Sequence, residues 1–274
     1  MLTELKSKKP QFCSQRGVTL IEVMVALALT SIITLVIMKT YVIQHETYMT
    51  QEDVTNMQQS ARSSLDELTR QIRMAGHDLP QGVAPLAAYN TNPDTIVVTY
   101  HGNDCESYLA SDMAGPGSVL QLATPVSCFT AGSWGYIEIP DSAVGEWFKI
   151  SQVNAGAQTI VHSDGGNLSR AYPKDARVVP LNQIKFYLRV PSSTLMMEQR
   201  GMPPSVYSED ITDLQFRYQL ASGLIIDQPV LMSNVRTVLI EVTTSSTREN
   251  PDGDPQGEPN HRTYSSSANL RNNI

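Results

Sequence analysis

Arg16-Gly17-Val18-Thr19-Leu20-Ile21-Glu22-Val23-Met24-Val25-Ala26-Leu27-Ala28-Leu29 opens an apolar run that continues to Met38. Val18 to Met38 is 21 residues, and Glu22 is the only formally charged one among them. As a helix rising about 1.5 Å per residue, the run covers about 31 Å, the thickness of a bilayer's hydrocarbon core. A carboxylate inside such a segment is costly, and its presence marks a task.

Charge fixes the expected orientation of this segment. Residues 1–17 carry Lys6, Lys8, Lys9 and Arg16 against Glu4, a net of +3. Beyond Lys39 come Glu46, Glu52 and Asp53, so the N-terminus is expected in the cytoplasm. Lys39-Thr40-Tyr41-Val42 follows the run without the small residues of a secretory cleavage site. The whole chain of 274 residues carries −7, and the +3 of the leader leaves −10 for the rest. An acidic remainder argues against nucleic-acid binding, which needs basic stripes.

The three cysteines divide about the same segment. Cys13 precedes it, whereas Cys105 and Cys128 follow it and would face an oxidising compartment. A Cys105–Cys128 disulfide would close a loop worth about 3 kcal/mol in the chain-entropy picture. The alternative is two unrelated buried thiols.

Gly17-Val18-Thr19-Leu20-Ile21-Glu22-Val23 resembles the processing site of type IV prepilins and type II secretion pseudopilins. The resemblance implies that a prepilin peptidase cuts after Gly17, on the cytoplasmic side, and N-methylates Val18. Glu22 then becomes the fifth residue of the mature chain. Val18 departs from the phenylalanine usual in that class. Glu22 lies one helical turn beyond Val18, placed to neutralise the new α-amino group of its own or a neighbouring chain. At low dielectric that pairing is far stronger than in water.

Farther on, Val54, Met57, Ala61, Leu65, Leu68 and Ile72 form one helical stripe among polar residues. Asp66 and Arg70 are spaced as an i,i+4 ion pair. With no proline between Val18 and Leu79, a single helix from Val18 to about Ala75 is expected, ending at Gly76 before Pro80. Ser64-Leu65-Asp66-Glu67-Leu68 through Gly76 resembles the stalk end of PilW-like minor pilins. The run Asp210–Tyr218, then Val235–Ile240 and the closing Leu270-Arg271-Asn272-Asn273 resemble the C-terminal half of the same family.

Past Pro80 short β-rich runs alternate with Gly, Pro, Asn, Asp and Ser. Strands are expected at 95–100, 118–123, 136–140, 147–153, 159–162, 176–181, 183–190, 195–199, 214–220, 235–244 and 262–270. Ile184, Phe186, Leu188 and Val190 alternate as one buried sheet face, and Pro80–Pro93 reads as an exposed linker.

Chemistry-bearing patterns are sparse. Asp252, Asp254 and Glu258 offer oxygen ligands for Ca²⁺, but three prolines in the same loop and a spacing unlike an EF-hand suit an acidic hairpin tip equally well. His45, His77, His101, His162 and His261 are scattered, and no nucleophile signature is present. Trp134 and Trp147 read as sheet packing. No cofactor, no metal beyond that calcium candidate, and no catalysis are expected.

The expected fold is α+β and pilin-like, a long N-terminal helix packed on a β-rich head. The segments are a cleaved leader 1–17, a transmembrane and assembly helix 18–38, a helical stalk 39–76 and a periplasmic head 77–274. The resemblance implies a minor pilin of a type IV pilus, held in the inner membrane and later at the cell surface, that primes or tips the filament. Its implied partners are the prepilin peptidase, other minor and major pilins through the N-terminal helix, the inner-membrane assembly platform and membrane lipid. Two alternatives remain: a J-type pseudopilin of a type II secretion system, and a prepilin-anchored binding or enzymatic module.

Overall fold

A computed structural model describes residues 17–102, 104–124, 126–162, 168–228, 234–249 and 259–271. The chain divides into two compact units, Met1–Glu52 and Asp53–Ile274. The division cuts the expected 39–76 stalk, whose later residues belong with the head.

Helix α1 (Leu20–Met74) contributes to both units. In the first unit its apolar side chains are bare, from Leu20 at 79% exposure through Leu35 at 70% to Ile43 at 52%. This segment is long and apolar enough to cross a membrane. In the second unit the stripe is covered: Met57, Ala61, Leu65, Leu68 and Ile72 are all buried. Leu65, Leu68 and Ile72 pack with strand residues including Phe186, Phe216 and Ile240 in one continuous core. Arg70 bonds Glu67 through Nε and Nη2 at 2.9 and 2.7 Å, rather than the expected Asp66. Glu67 wins because one carboxylate meets the guanidinium fork bidentately. The helix ends where Gly76 takes φ +80 and gives its N–H to the Thr99 carbonyl at 3.1 Å.

Two antiparallel sheets receive the helix. The first has the order β1-β2-β9-β10-β11, with β1 (Leu86–Tyr89), β2 (Thr95–Tyr100), β9 (Asn182–Arg189), β10 (Thr194–Gln199) and β11 (Ser205–Ser208). The second has the order β13-β12-β14-β15, with β12 (Ile211–Leu220), β13 (Ile225–Ile226), β14 (Val235–Glu249) and β15 (Pro259–Asn269). Strand β1 falls within the expected linker Pro80–Pro93. Leu86 is buried there, and the prolines stand outside the paired residues of an edge strand, where a missing N–H costs nothing. Val190 leaves the sheet, 58% exposed, because Pro191 turns the chain into a short 3-10 helix, Val190–Ser192. In β14, Val235 and Val238 are both buried although an odd step separates them. Leu220 pairs with Val235 and Gln219 with Thr237, leaving Arg236 as the extra residue of a bulge that shifts the alternation.

Strands β2 and β9 are neighbours, with Tyr100 opposite Asn182, so residues 101–181 are inserted between paired strands. The insertion builds a third sheet in the order β3-β8-β5-β6-β7-β4. These strands are β3 (Ser107–Tyr108), β4 (Leu120–Gln121), β5 (Trp134–Glu138), β6 (Gly145–Asn154), β7 (Thr159–His162) and β8 (Arg177–Pro180). Its two edges meet. Leu109 bridges Leu122, Ala110 N–H donates to the Gln121 carbonyl at 2.8 Å, and Ala123 N–H donates to the Tyr108 carbonyl at 2.9 Å. The result is a small closed barrel, which removes both edges. A separate core including Leu120, Phe148, Ile150, Ile160 and Tyr172 fills it.

Candidate functional site

Thr19 stands immediately before α1, and its side-chain oxygen accepts the Glu22 N–H at 3.4 Å. Thr19 and Glu22 are spaced as a capping pair, and a carboxylate in the first turn favours the positive end of the helix dipole. The helix thus begins at Leu20, two residues later than expected, and Val18 precedes it. No partner among the described residues reaches the Glu22 carboxylate.

The other polar groups of the apolar run are satisfied within it. Thr30, Ser31 and Thr34 each donate a hydroxyl to the carbonyl four residues back, at 2.7 to 2.8 Å. Hydroxyls bonded in this way are tolerated in a bilayer or a helix bundle. Glu22 is the exception: a charge in an apolar surface with its lone pairs unspent.

Gly17 is not held as glycine by packing. A Cβ there would meet nothing within 4 Å, and its φ lies outside the left-handed region. Any demand for glycine at this position therefore comes from an event outside the folded chain.

In the head, Cys105 and Cys128 form a disulfide that ties the entry loop of the barrel to its later loop. Asp252, Asp254 and Glu258 lie outside the described residues. Sequence reading missed two clusters that join the barrel to the rest of the head. In the first, Arg177 of β8 meets Asp78 at 2.9 Å, Glu106 at 3.0 Å and Glu138 at 3.4 Å. Buried His101 lies between the Asp78 carboxylate at 2.7 Å and the Cys105 carbonyl at 2.9 Å. Burial pushes the Asp78 carboxyl up, but the hydrogen bonds of His101 and Arg177 outweigh it and hold the group below its usual range. Burial raises the Glu138 carboxyl, against the pull of Arg177.

In the second cluster Arg200, just past β10, lies between the indoles of Trp134 and Trp147, 4.4 and 4.5 Å from their ring centres. Its Nη1 donates to Gln183 Oε1 at 2.7 Å. Gly201 follows at φ +82, where a Cβ would run into Trp134. The partners in both clusters are far apart in sequence, and no local pattern announces them.

Residues 13–38 match the prokaryotic N-terminal methylation motif. The match spans the leader's end, Gly17, Val18, Glu22 and the apolar run, and supports a type IV pilin-like or pseudopilin protein. Such a motif implies processing by a prepilin peptidase and association with other pilins. With the N-terminal apolar helix it fits a membrane-anchored, single-pass protein. No curated protein matches the chain.

Proposed function

We propose that this chain is a minor pilin of a type IV pilus, PilW-like in its stalk and C-terminal half, that works by assembly and not by catalysis. One observation carries the reading: the apolar run Val18–Met38 begins directly after Gly17 and is bare from Leu20 on, and its only charge, Glu22, has no partner among the described residues. The precursor inserts with its basic N-terminus in the cytoplasm and its disulfide-bonded head in the periplasm. The peptidase cuts between Gly17 and Val18 and methylates Val18, exchanging a neutral peptide nitrogen for a cation. When anchors bundle, that cation and the Glu22 carboxylate leave water together and neutralise each other. The packed helices then prime the filament or form its tip, on the inner-membrane assembly platform.

The energetics give the reading its test. Removing one partner of a buried ion pair costs about 3–5 kcal/mol because the other charge stays buried alone. Glu22→Ala should therefore be processed normally yet enter filaments at least about a hundredfold less than wild type, since each 1.4 kcal/mol is a factor of ten. Sheared filaments probed for the subunit, beside membranes probed for the processed chain, measure both quantities. Wild-type incorporation of Glu22→Ala would sink the pairing. Loss of an exported enzyme on deletion, with pili intact, would assign the chain to a type II secretion pseudopilus instead.

A further inference from the structure

Within the Asp53–Ile274 unit a groove of about 430 Å³ runs between α1 and β15. One wall is the helix, through Asp66, Thr69, Arg70 and Arg73. The other is β15 and its continuation, through Ser266 and Arg271. Three guanidiniums thus line one groove of a chain that, at −7 with a leader of +3, carries −10 beyond that leader. Arg70 is partly spent, since its Nε and Nη2 bond Glu67. The guanidiniums of Arg73 and Arg271 are exposed and have no hydrogen-bond or ion-pair partner among the described residues. Arg73 lies in the last turn of α1, where a cation suits the helix dipole. That dipole does not account for Arg271, which reaches the same groove from another element.

A pair of hydroxyls completes the donor set. Thr69 Oγ1 and Ser266 Oγ are 3.1 Å apart, so one donates to the other and the accepting hydroxyl keeps its own hydrogen for a ligand. Thr69 is buried, which sets this pair deeper than the exposed arginines. A planar carboxylate spends both oxygens on one guanidinium fork. A tetrahedral phosphate monoester presents oxygens to forks on both walls and another to a hydroxyl. Its charge of about −1.5 to −2 at pH 7 matches the two uncommitted arginines. A long polyanion would find no continuation on the acidic remainder of the chain. The groove beside β11, lined by Glu209 and Asp210 and by no cationic side chain, would repel the same ligand.

We propose that the β15 groove binds one phosphate monoester, gripped by Arg73 and Arg271 with a hydroxyl of the Thr69–Ser266 pair, and that Asp66, the one lining carboxylate, limits the affinity. Free phosphate and the phosphate ester of a lipid or glycolipid headgroup offer the same chemistry. The site lies wholly within the Asp53–Ile274 unit, so it stands apart from the filament reading and gives the head a ligand of its own.

Equilibrium dialysis of radiolabelled inorganic phosphate against the detergent-solubilised full chain tests it. The wild type should show one saturable site. Arg271→Gln, at an exposed position, should keep the wild-type urea midpoint and weaken binding at least about tenfold, the loss expected for one charge-assisted contact. Asp66→Asn should tighten binding at least about twofold, a gain that no folding defect produces. Acetate in excess should not displace the label. Displacement by glycerol 3-phosphate at lower concentration than by unlabelled phosphate assigns the site to a headgroup ester, and the reverse order assigns it to the free ion. No saturable retention below about 10 mM, unchanged affinity in Arg271→Gln, or weaker binding in Asp66→Asn overturns the proposal. Displacement by acetate as readily as by phosphate overturns the choice of ligand, and the proposal with it.

Discussion

Arg200→Ala is expected to loosen the barrel from the sheet that carries it. The guanidinium lies 4.4 Å from one indole centre and 4.5 Å from the other and donates one 2.7 Å hydrogen bond to Gln183. A desolvated cation–π contact contributes up to about 2 kcal/mol, and a hydrogen bond from a charged group about 1.5–3. Against these stands the cost of burying a guanidinium, which lowers its pKa and leaves Nε unpaired. The net loss for Arg200→Ala comes to about 2–3 kcal/mol. Arg200→Met keeps the stem's packing and removes the desolvation cost, so it should lose only about 1 kcal/mol. The chain's two tryptophans are the two clamping residues, so their fluorescence reports on this site alone. Urea unfolding of the detergent-solubilised chain, followed by tryptophan emission, supplies both the stability change and the solvent exposure of the rings. A loss below about 0.5 kcal/mol for Arg200→Ala with unshifted emission would refute the clamp.

Other outcomes follow from the same contacts. Cys105→Ser with Cys128→Ser should cost the chain about 3 kcal/mol, read as a fall in urea midpoint with a steeper slope, because the unfolded state regains the loop's closure entropy and expands. Asp78 is held below its unfolded value of 3.8, so its contribution is present above that pH and is lost as pH falls through the lower folded value. Glu138, raised in the fold, acts in the opposite sense, binding its proton more readily folded than unfolded. Asp78→Asn should thus lower stability at neutral pH and flatten the acid limb below 3.8, whereas Glu138→Gln should remove a gain in stability that the wild type makes as pH falls toward 4.5; urea midpoints across the two ranges measure both.

What the sequence disclosed was whatever repeats locally. The apolar run to Met38 is visible because every residue in it serves one surrounding, and the Met57–Ile72 stripe because one helix face meets one core. Ile184, Phe186 and Leu188 show the period of a half-buried strand, and their burial follows it. Strand β1 was hidden by its prolines, which read as loop although they bracket an edge strand. The closure of the barrel was hidden by brevity: β4 keeps only two residues of the strand expected at 118–123, and β3 has two residues, too few for any period, yet together they close it. Glu67 outcompetes Asp66 for Arg70 on geometry that spacing does not resolve. The Arg177 and Arg200 clusters join positions as much as 99 and 66 residues apart, where tertiary structure alone brings partners together.

The central claim is that Gly17 marks a cut and that Val18 becomes a charged, methylated end. Gly17→Ala isolates it, since an added methyl there meets nothing within 4 Å and leaves the fold alone. Intact mass and N-terminal sequence of the membrane-extracted wild-type and variant chains decide the matter. A wild-type chain beginning at N-methyl-Val18, with Gly17→Ala retaining residues 1–17, is the predicted result. A wild-type chain still beginning at Met1 would contradict it, leaving an uncleaved signal anchor beneath a periplasmic head.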